Sequence, residues 1–386
     1  MKTKFPVWLL CLLIFAALII GCAAVFAPFL QNISRTALTA KQTAVSPTPA
    51  ATEKPAPTQV PIDTPAPSDS SPALIVEDEP EPSPEATSAP IHIHHYVDGV
   101  CDGCGAAPEF YTDFLPEEFY CETDHAGSVI LHEYSVTAYA NHGFGEYKKC
   151  FNLYVPYDYD ENVPYNVLVL VHGGGGNENS WLTDVYDYGS IQMQGRVIFD
   201  NMFEKGICNP CLIVCPVTET PYTQGLTAGI NQLRDELREY ILPWVAENYS
   251  TYARDGSLDS LRAARDHFAL GGLSNGALFV YEGGMRYNFD LFGSYAAFSG
   301  NGEPWVTVGI IQSGEYAELP INCLFTGAGS MGDSQQNYTQ VGYDYFIENE
   351  PRLTDGKNAF HVDVNGEHEW KVWFTDIFNA LPLLFK

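Results

Sequence analysis

The five residues Gly272-Leu273-Ser274-Asn275-Gly276 carry the clearest chemistry in this chain. They join a short apolar run, His267 to Gly271, to a segment of helical character, Ala277 to Met285. A serine on a sharp strand-to-helix turn needs small residues two positions before and after it, because the backbone crowds there. The turn lifts the hydroxyl clear of the sheet, and the N–H groups that open the helix face any negative charge developing beside it. This is an arrangement for nucleophilic attack on a carbonyl.

Three further features fall in the right order around that serine. Upstream, Val171-His172-Gly173-Gly174-Gly175-Gly176 follows a buried-looking strand, Tyr165 to Val171. Glycines there let the backbone approach a ligand, so Gly173 or Gly174 and the residue after the serine, Asn275, are candidate oxyanion donors. The loop lacks the Gly-Lys-Ser/Thr ending of a nucleotide loop and the Gly-x-Gly-x-x-Gly spacing of a dinucleotide site. Downstream, an acid and then a base are expected. His368, in Gly366-Glu367-His368-Glu369-Trp370, follows the last strand and is the candidate base. His361 lies within a strand-like run, His267 sits at the wrong end of its strand, and His172 orients the glycine loop. Asp333 follows a strand that runs into a glycine-rich loop, and is the candidate acid, holding the imidazole in one tautomer. Asp363 is too close to His368 along a strand, and Asp290 would need another topology.

These groups need rigid supports. Tyr147–Tyr157, Tyr165–Val171, Cys211–Val217, Phe292–Ser299, Ile321–Thr326 and Ala359–Val364 read as strands. Asn231–Tyr249, Asp344–Glu350 and Val372–Leu384 read as helices, the first with Leu233, Leu237, Ile241 and Trp244 on one side and a kink or break at Pro243. The alternation predicts an α/β domain over residues 114–386, with a mostly parallel, doubly wound sheet and functional groups at the carboxyl ends of its strands.

Together these residues resemble the esterase family of α/β-hydrolases, and within it the feruloyl esterase and acetyl xylan esterase modules of carbohydrate esterase family 1. The resemblance runs from about Glu146 to Trp373 and is carried by VLVLVHGGGGNENSW (Val167 to Trp181), HFALGGLSNGA (His267 to Ala277) and GEHEWKVW (Gly366 to Trp373). The chain departs from the family pattern with Glu369 for an Asp, Asn275 for a Met and Ala277 for a Gly. The resemblance implies an α/β-hydrolase fold and a Ser274–His368–Asp333 triad that needs no cofactor. It also implies feruloyl or acetyl esters on plant xylan as substrate. Trp181, Tyr222 and Tyr338 are candidate contacts for a sugar or phenolic ring. The alternatives are a binding module with an unused triad, or an acyl transferase or peptidase on the same scaffold.

The N-terminal third has a different character. Residues 1–22 read as a secretory signal: Lys2 and Lys4 precede the apolar run Phe5 to Ile20, and Ile19-Ile20-Gly21-Cys22 resembles a bacterial lipobox. The alternative is an uncleaved membrane anchor, and either places the rest of the chain outside the membrane, at the cell surface. Residues 23–90 are rich in Pro, Ala, Thr, Ser and Glu, a composition that leaves little to bury and reads as an extended, disordered tether. Residues 91–107 hold His92, His94, Cys101 and Cys104, which resemble short His/Cys modules of bacterial surface proteins and could hold a structural zinc ion; a Cys101–Cys104 disulfide is the alternative.

Of the other cysteines, Cys121 with Cys150, and two among Cys208, Cys211, Cys215 and Cys323, are candidate disulfide pairs, although Cys215 and Cys323 also suit buried free thiols. A net charge of −29, from 48 acidic against 19 basic residues, argues against a nucleic-acid partner, which would need clustered Lys and Arg.

Overall fold

The computed structural model describes residues 96–97, 100–101, 111–137, 146–218 and 226–385. The signal segment, the 23–90 tether, Tyr222, and His92, His94 and Cys104 of the His/Cys motif lie outside the described residues. Cys101 enters only as part of a short antiparallel ribbon, Tyr96–Val97 with Val100–Cys101.

The sheet has eight strands: β1 Ser128–Thr137, β2 Glu146–Val155, β3 Asn166–Val171, β4 Cys211–Pro216, β5 Phe268–Leu273, β6 Ser294–Phe298, β7 Cys323–Gly329 and β8 Ala359–Val364. Their order across the sheet is β1-β2-β4-β3-β5-β6-β7-β8. β2 runs antiparallel to both β1 and β4, and every other pair is parallel. The predicted doubly wound, mostly parallel sheet is therefore borne out, with β2 running against its two neighbours near one edge.

The strand sequences account for burial on both faces. In β3 (NVLVLV), Val167, Val169 and Val171 enter one core layer while Leu168 and Leu170 enter the other. The first layer is covered by α2 Leu226–Glu236, α3 Leu242–Asn248 and α5 Asn275–Phe279. The second is covered by α1 Gly195–Glu204 and by the last helix, α8 Trp370–Leu384. Short helices α4 Leu258–Ala263 and α6 Pro304–Ile311, and the longer α7 Gln336–Asn349, complete the set.

The break expected at Pro243 takes the form of a π turn, Leu237–Ile241, between α2 and α3. The proline ring would clash with the carbonyl four residues back, and the wider turn removes that conflict. The domain is fastened together ahead of residue 114 as well. Thr112 exchanges two hydrogen bonds with the Asn379 side chain of α8, and Asp113 accepts the N–H of Asn365.

The expected Cys121–Cys150 disulfide is absent. Both thiols are free, with Cys121 exposed beyond a 3-10 turn and Cys150 half-buried on β2. Cys211 and Cys215 are buried free thiols on β4, so neither forms one of the other expected bridges.

Candidate active site

Ser274 stands between β5 and α5 with φ 51° and ψ −114°, a strained backbone for any residue but glycine. Its N–H is tied to Phe298 O of β6 at 2.8 Å. The flanking glycines are forced by close approach. A Cβ at Gly276 would overlap the carbonyls of Val171 and His172, and one at Gly272 would meet the backbone of Gly276. The helix after the serine thus packs directly on the end of β3, which brings the glycine loop to the serine.

That loop is itself held rigidly. Nε2 of buried His172 accepts the Thr218 N–H at 3.1 Å, so Nδ1 carries the proton and donates to Gly173 O at 2.7 Å. The same carbonyl accepts the Gly176 N–H at 3.2 Å. With two donors on one side, the Gly173 peptide cannot rotate. A Cβ on Gly173 would stand 3.3 Å from Ser274 Cβ, and one on Gly174 would meet the Asn275 amide at 2.8 Å. The structure therefore gathers Gly173, Gly174, Ser274 and Asn275, and it bears out His172 as the residue that orients the loop.

Asp333 and His368 come together from the loops after β7 and β8. His368 Nδ1 lies 2.9 Å from Asp333 Oδ1. Asp333 is buried and accepts three further hydrogen bonds: from Gln335 N–H to Oδ1 at 2.8 Å, and from Ser299 Oγ at 2.6 Å and Gly329 N–H at 3.2 Å to Oδ2. Burial would raise its pKa. The hydrogen bonds from His368, Ser299, Gln335 and Gly329 outweigh burial and hold the carboxyl below the usual range. A carboxylate saturated in this way stays ionised and presents a fixed lone pair to the imidazole. His361, the competing histidine, is fully buried with Nδ1 at 2.8 Å from Thr326 Oγ1. Asp290 is engaged by Arg238 and Arg262.

Ser274 and His368 line one cavity of about 380 Å³, together with Gly173 to Gly176, Asn177, Ser180, Asp184, Tyr186, Leu273, Trp370 and Trp373. Tyr186 and Trp370 form a stacked pair in its wall, with ring centroids 4.4 Å apart. Tyr186 was not singled out by sequence reasoning, and Trp370 and Trp373 entered there only within the motif around His368, with no role as cavity lining. Trp181 needs correction. It is fully buried, donates its indole N–H to Val171 O at 3.2 Å, and packs edge-on against Phe298, Trp370 and Phe374. It props the floor of the cavity from behind and touches no ligand space. Tyr338 is exposed on α7 and does not line the cavity. Among the described residues no cluster of three or more His, Cys, Asp or Glu side chains is arranged to hold a metal ion.

No family model matches the chain. Solved structures do resemble it. A mutant of the feruloyl esterase module from Clostridium thermocellum, complexed with sinapinate, superposes with a TM-score of 0.61 at 23% identity over 72% of this chain and 96% of that one. A structure described as FAE gives 0.59 at 25% identity over 72% and 96%. A ferulic acid esterase of carbohydrate esterase family 1 from Anaeromyces mucronatus, in complex with ferulic acid, gives 0.54 at 20% identity over 71% and 97%. The fold is that of the α/β-hydrolases. The resemblance read in the motifs to feruloyl esterases is borne out by these structures. Among curated proteins, endo-1,4-beta-xylanase Y of Acetivibrio thermocellus is 34% identical over 130 residues, which are 34% of this chain and 11% of the xylanase. The matched stretch thus spans only about a tenth of that larger protein.

Proposed function

We propose that this α/β-hydrolase is a serine carboxylic-ester hydrolase acting on feruloyl or acetyl esters of plant xylan. The observation that carries the reading is the 2.9 Å contact between His368 and buried Asp333, with His368 and Ser274 lining the same cavity. Ser274 Oγ attacks the ester carbonyl as His368 Nε2 takes its proton. Asp333 keeps the Nδ1 proton in place and stabilises the imidazolium. The N–H groups of Asn275 and of Gly173 or Gly174 receive the developing oxyanion, one such donor being worth about 2.7–4 kcal/mol in other serine hydrolases. His368 then protonates the departing sugar alcohol. Water, deprotonated by the same imidazole, attacks the acyl-serine and releases the carboxylic acid.

The stacked Tyr186–Trp370 pair supports an aromatic or sugar ring in the cavity. The feruloyl esterase neighbours and the partial match to a xylanase support a plant cell-wall ester. The lipobox-like Cys22 and the 23–90 tether support a surface-anchored position, with the His/Cys motif as a small zinc-stabilised unit on the way to the domain.

Hydrolysis of methyl ferulate, p-nitrophenyl acetate and acetylated xylan by the purified protein tests the reading, with Ser274→Ala as control. Release of ferulate or acetate that disappears in Ser274→Ala is expected. Undiminished turnover in that variant, or none from the folded wild type, would overturn it.

A further inference from the structure

Adjacent strands β5, β6 and β7 end in the same way. Leu273 and Phe298 are register partners, as are Gly329 and Val364. The residue after β5, β6 and β7 is in each case a serine whose N–H crosses to the neighbouring strand. Ser274 N reaches Phe298 O at 2.8 Å, Ser299 N reaches Gly327 O at 2.7 Å, and Ser330 N reaches Val364 O at 2.8 Å. Two of the three, Ser274 and Ser299, share a φ of 51°. That value strains an L-residue and would cost glycine nothing. At Ser274 the strain presents a hydroxyl to the cavity. Ser299 is fully buried and is followed by Gly300, so a glycine-compatible turn has kept a side chain that must be held in strain.

The partners of that side chain show what it does. Ser299 Oγ donates to Asp333 Oδ2 at 2.6 Å, and Trp373 Nε1 donates to Ser299 Oγ at 2.9 Å. An indole N–H can only donate, so the serine must offer Trp373 a lone pair and spend its single proton on the carboxylate. The direction of the hydroxyl is therefore fixed. Trp373 also sets its ring edge-on to His368, with centroids 5.0 Å apart at 86°. His368, Asp333, Ser299 and Trp373 close a ring of contacts in which every member touches two others.

We propose that Ser299 is a positioning residue for the acid of the triad. It clamps Asp333 Oδ2 so that Oδ1 cannot turn away from His368 Nδ1, and it draws charge from the carboxylate through a short, charge-assisted bond. This role rests on the serine-hydrolase reading. Neither glycine nor alanine at 299 can supply the proton, whereas only glycine relieves the backbone, and that difference separates the hydroxyl from the turn.

Ser299→Ala and Ser299→Gly are compared with wild type for kcat, KM, melting temperature and the acid limb of kcat/KM on methyl ferulate or p-nitrophenyl acetate. Both variants are expected to lose kcat by about tenfold with KM within about twofold, the effect of one lost hydrogen bond to a charged group. Asp333, relieved of a donor, presents more charge to His368, favours the imidazolium, and moves the acid limb up by roughly 0.5 pH unit in both. Ser299→Gly melts above Ser299→Ala. An acid limb that stays in place in both variants, or a wild-type kcat restored by glycine, overturns the proposal and leaves Ser299 a turn residue. Should Ser299→Ala fail to fold, Ser299→Gly alone carries the same readout. A catalytically dead Ser274→Ala beside unaffected Ser299 variants sinks only the positioning role, while an active Ser274→Ala sinks the reading beneath it.

Discussion

Asp376 of α8 presses its carboxyl group against Gly327 of β7, so closely that a Cβ on Gly327 would overlap it. The carboxyl is fully buried, and neither oxygen has a hydrogen-bond partner among the described residues. Burial first, and then the negative charges of Asp363 and Asp333, push its pKa well above the usual carboxylate range. The two acids beside β7 are thus driven in opposite directions, Asp333 toward the carboxylate and Asp376 toward the neutral acid.

A folded-state pKa raised above the unfolded value means that the folded chain holds a proton that the unfolded chain releases. The stability from this group is complete below the ordinary carboxylate range. It declines as pH rises toward the folded pKa, by up to about 1.4 kcal/mol per pH unit. Asp376→Asn keeps the shape and removes the titration. Urea melts from pH 4 upward should show the variant gaining on wild type with each unit of pH. Parallel stability curves for the two proteins would mean that Asp376 does not take up a proton on folding.

Asp333 has the opposite sign. Its lowered pKa contributes stability that is present above the unfolded carboxylate range and is lost as pH falls through the folded pKa. Asp333→Asn should flatten the acid side of the stability curve. It should also lower kcat by about 10⁴-fold, as the imidazole loses its fixed tautomer. An Asp333→Asn enzyme within tenfold of wild type would point to a different acid.

Gly276→Ala sets a methyl group against the carbonyls of Val171 and His172, both backbone atoms that cannot step aside. A loss of about 1–3 kcal/mol in stability is expected, with activity falling further because the glycine loop is pushed from Ser274. Gly175→Ala is the control: its φ of 74° strains alanine, but the methyl group meets nothing within 4 Å. Chemical denaturation and turnover of both variants separate the two effects, and equal losses in the pair would contradict the packing described.

Trp181 and Tyr186 divide between core and cavity. Trp181→Ala should cost about 3–5 kcal/mol of stability, as for other large buried aromatics. Tyr186→Ala should leave a folded enzyme with raised KM for aromatic esters. A Trp181→Ala protein of normal melting temperature and raised KM would return that residue to the ligand.

The serine turn, the glycine loop and the candidate base and acid were legible because each places glycines at a strand end, a pattern with a steric cause. The rest had no such marker. Ser299 is one serine after one strand, and only its φ and partners distinguish it. Trp181 and Tyr186 are both aromatic residues shortly after the glycine loop. The turn in which Asn179 O accepts the N–H groups of Leu182, Thr183 and Asp184 decides that the first goes under the sheet end and the second into the wall. β1 escaped notice because it is an edge strand with Ile130 and Leu131 exposed, so its apolar residues do not mark a single face. The helix predicted from Asp344 begins at Gln336, since its polar first turns carry little periodicity, and the strand predicted from Ile321 begins at Cys323.

Helix α8 contributes Trp373 to the ring around Asp333, Asp376 to the back of β7, and Trp370 to the cavity wall, and it is clasped by Thr112 from the start of the domain. One helix therefore acts as the latch of the candidate site while adding no strand to the sheet. Loosening it would silence the enzyme with the sheet still intact. Warmed gradually, this protein should stop turning over before it melts, and its activity is the more sensitive thermometer of the two.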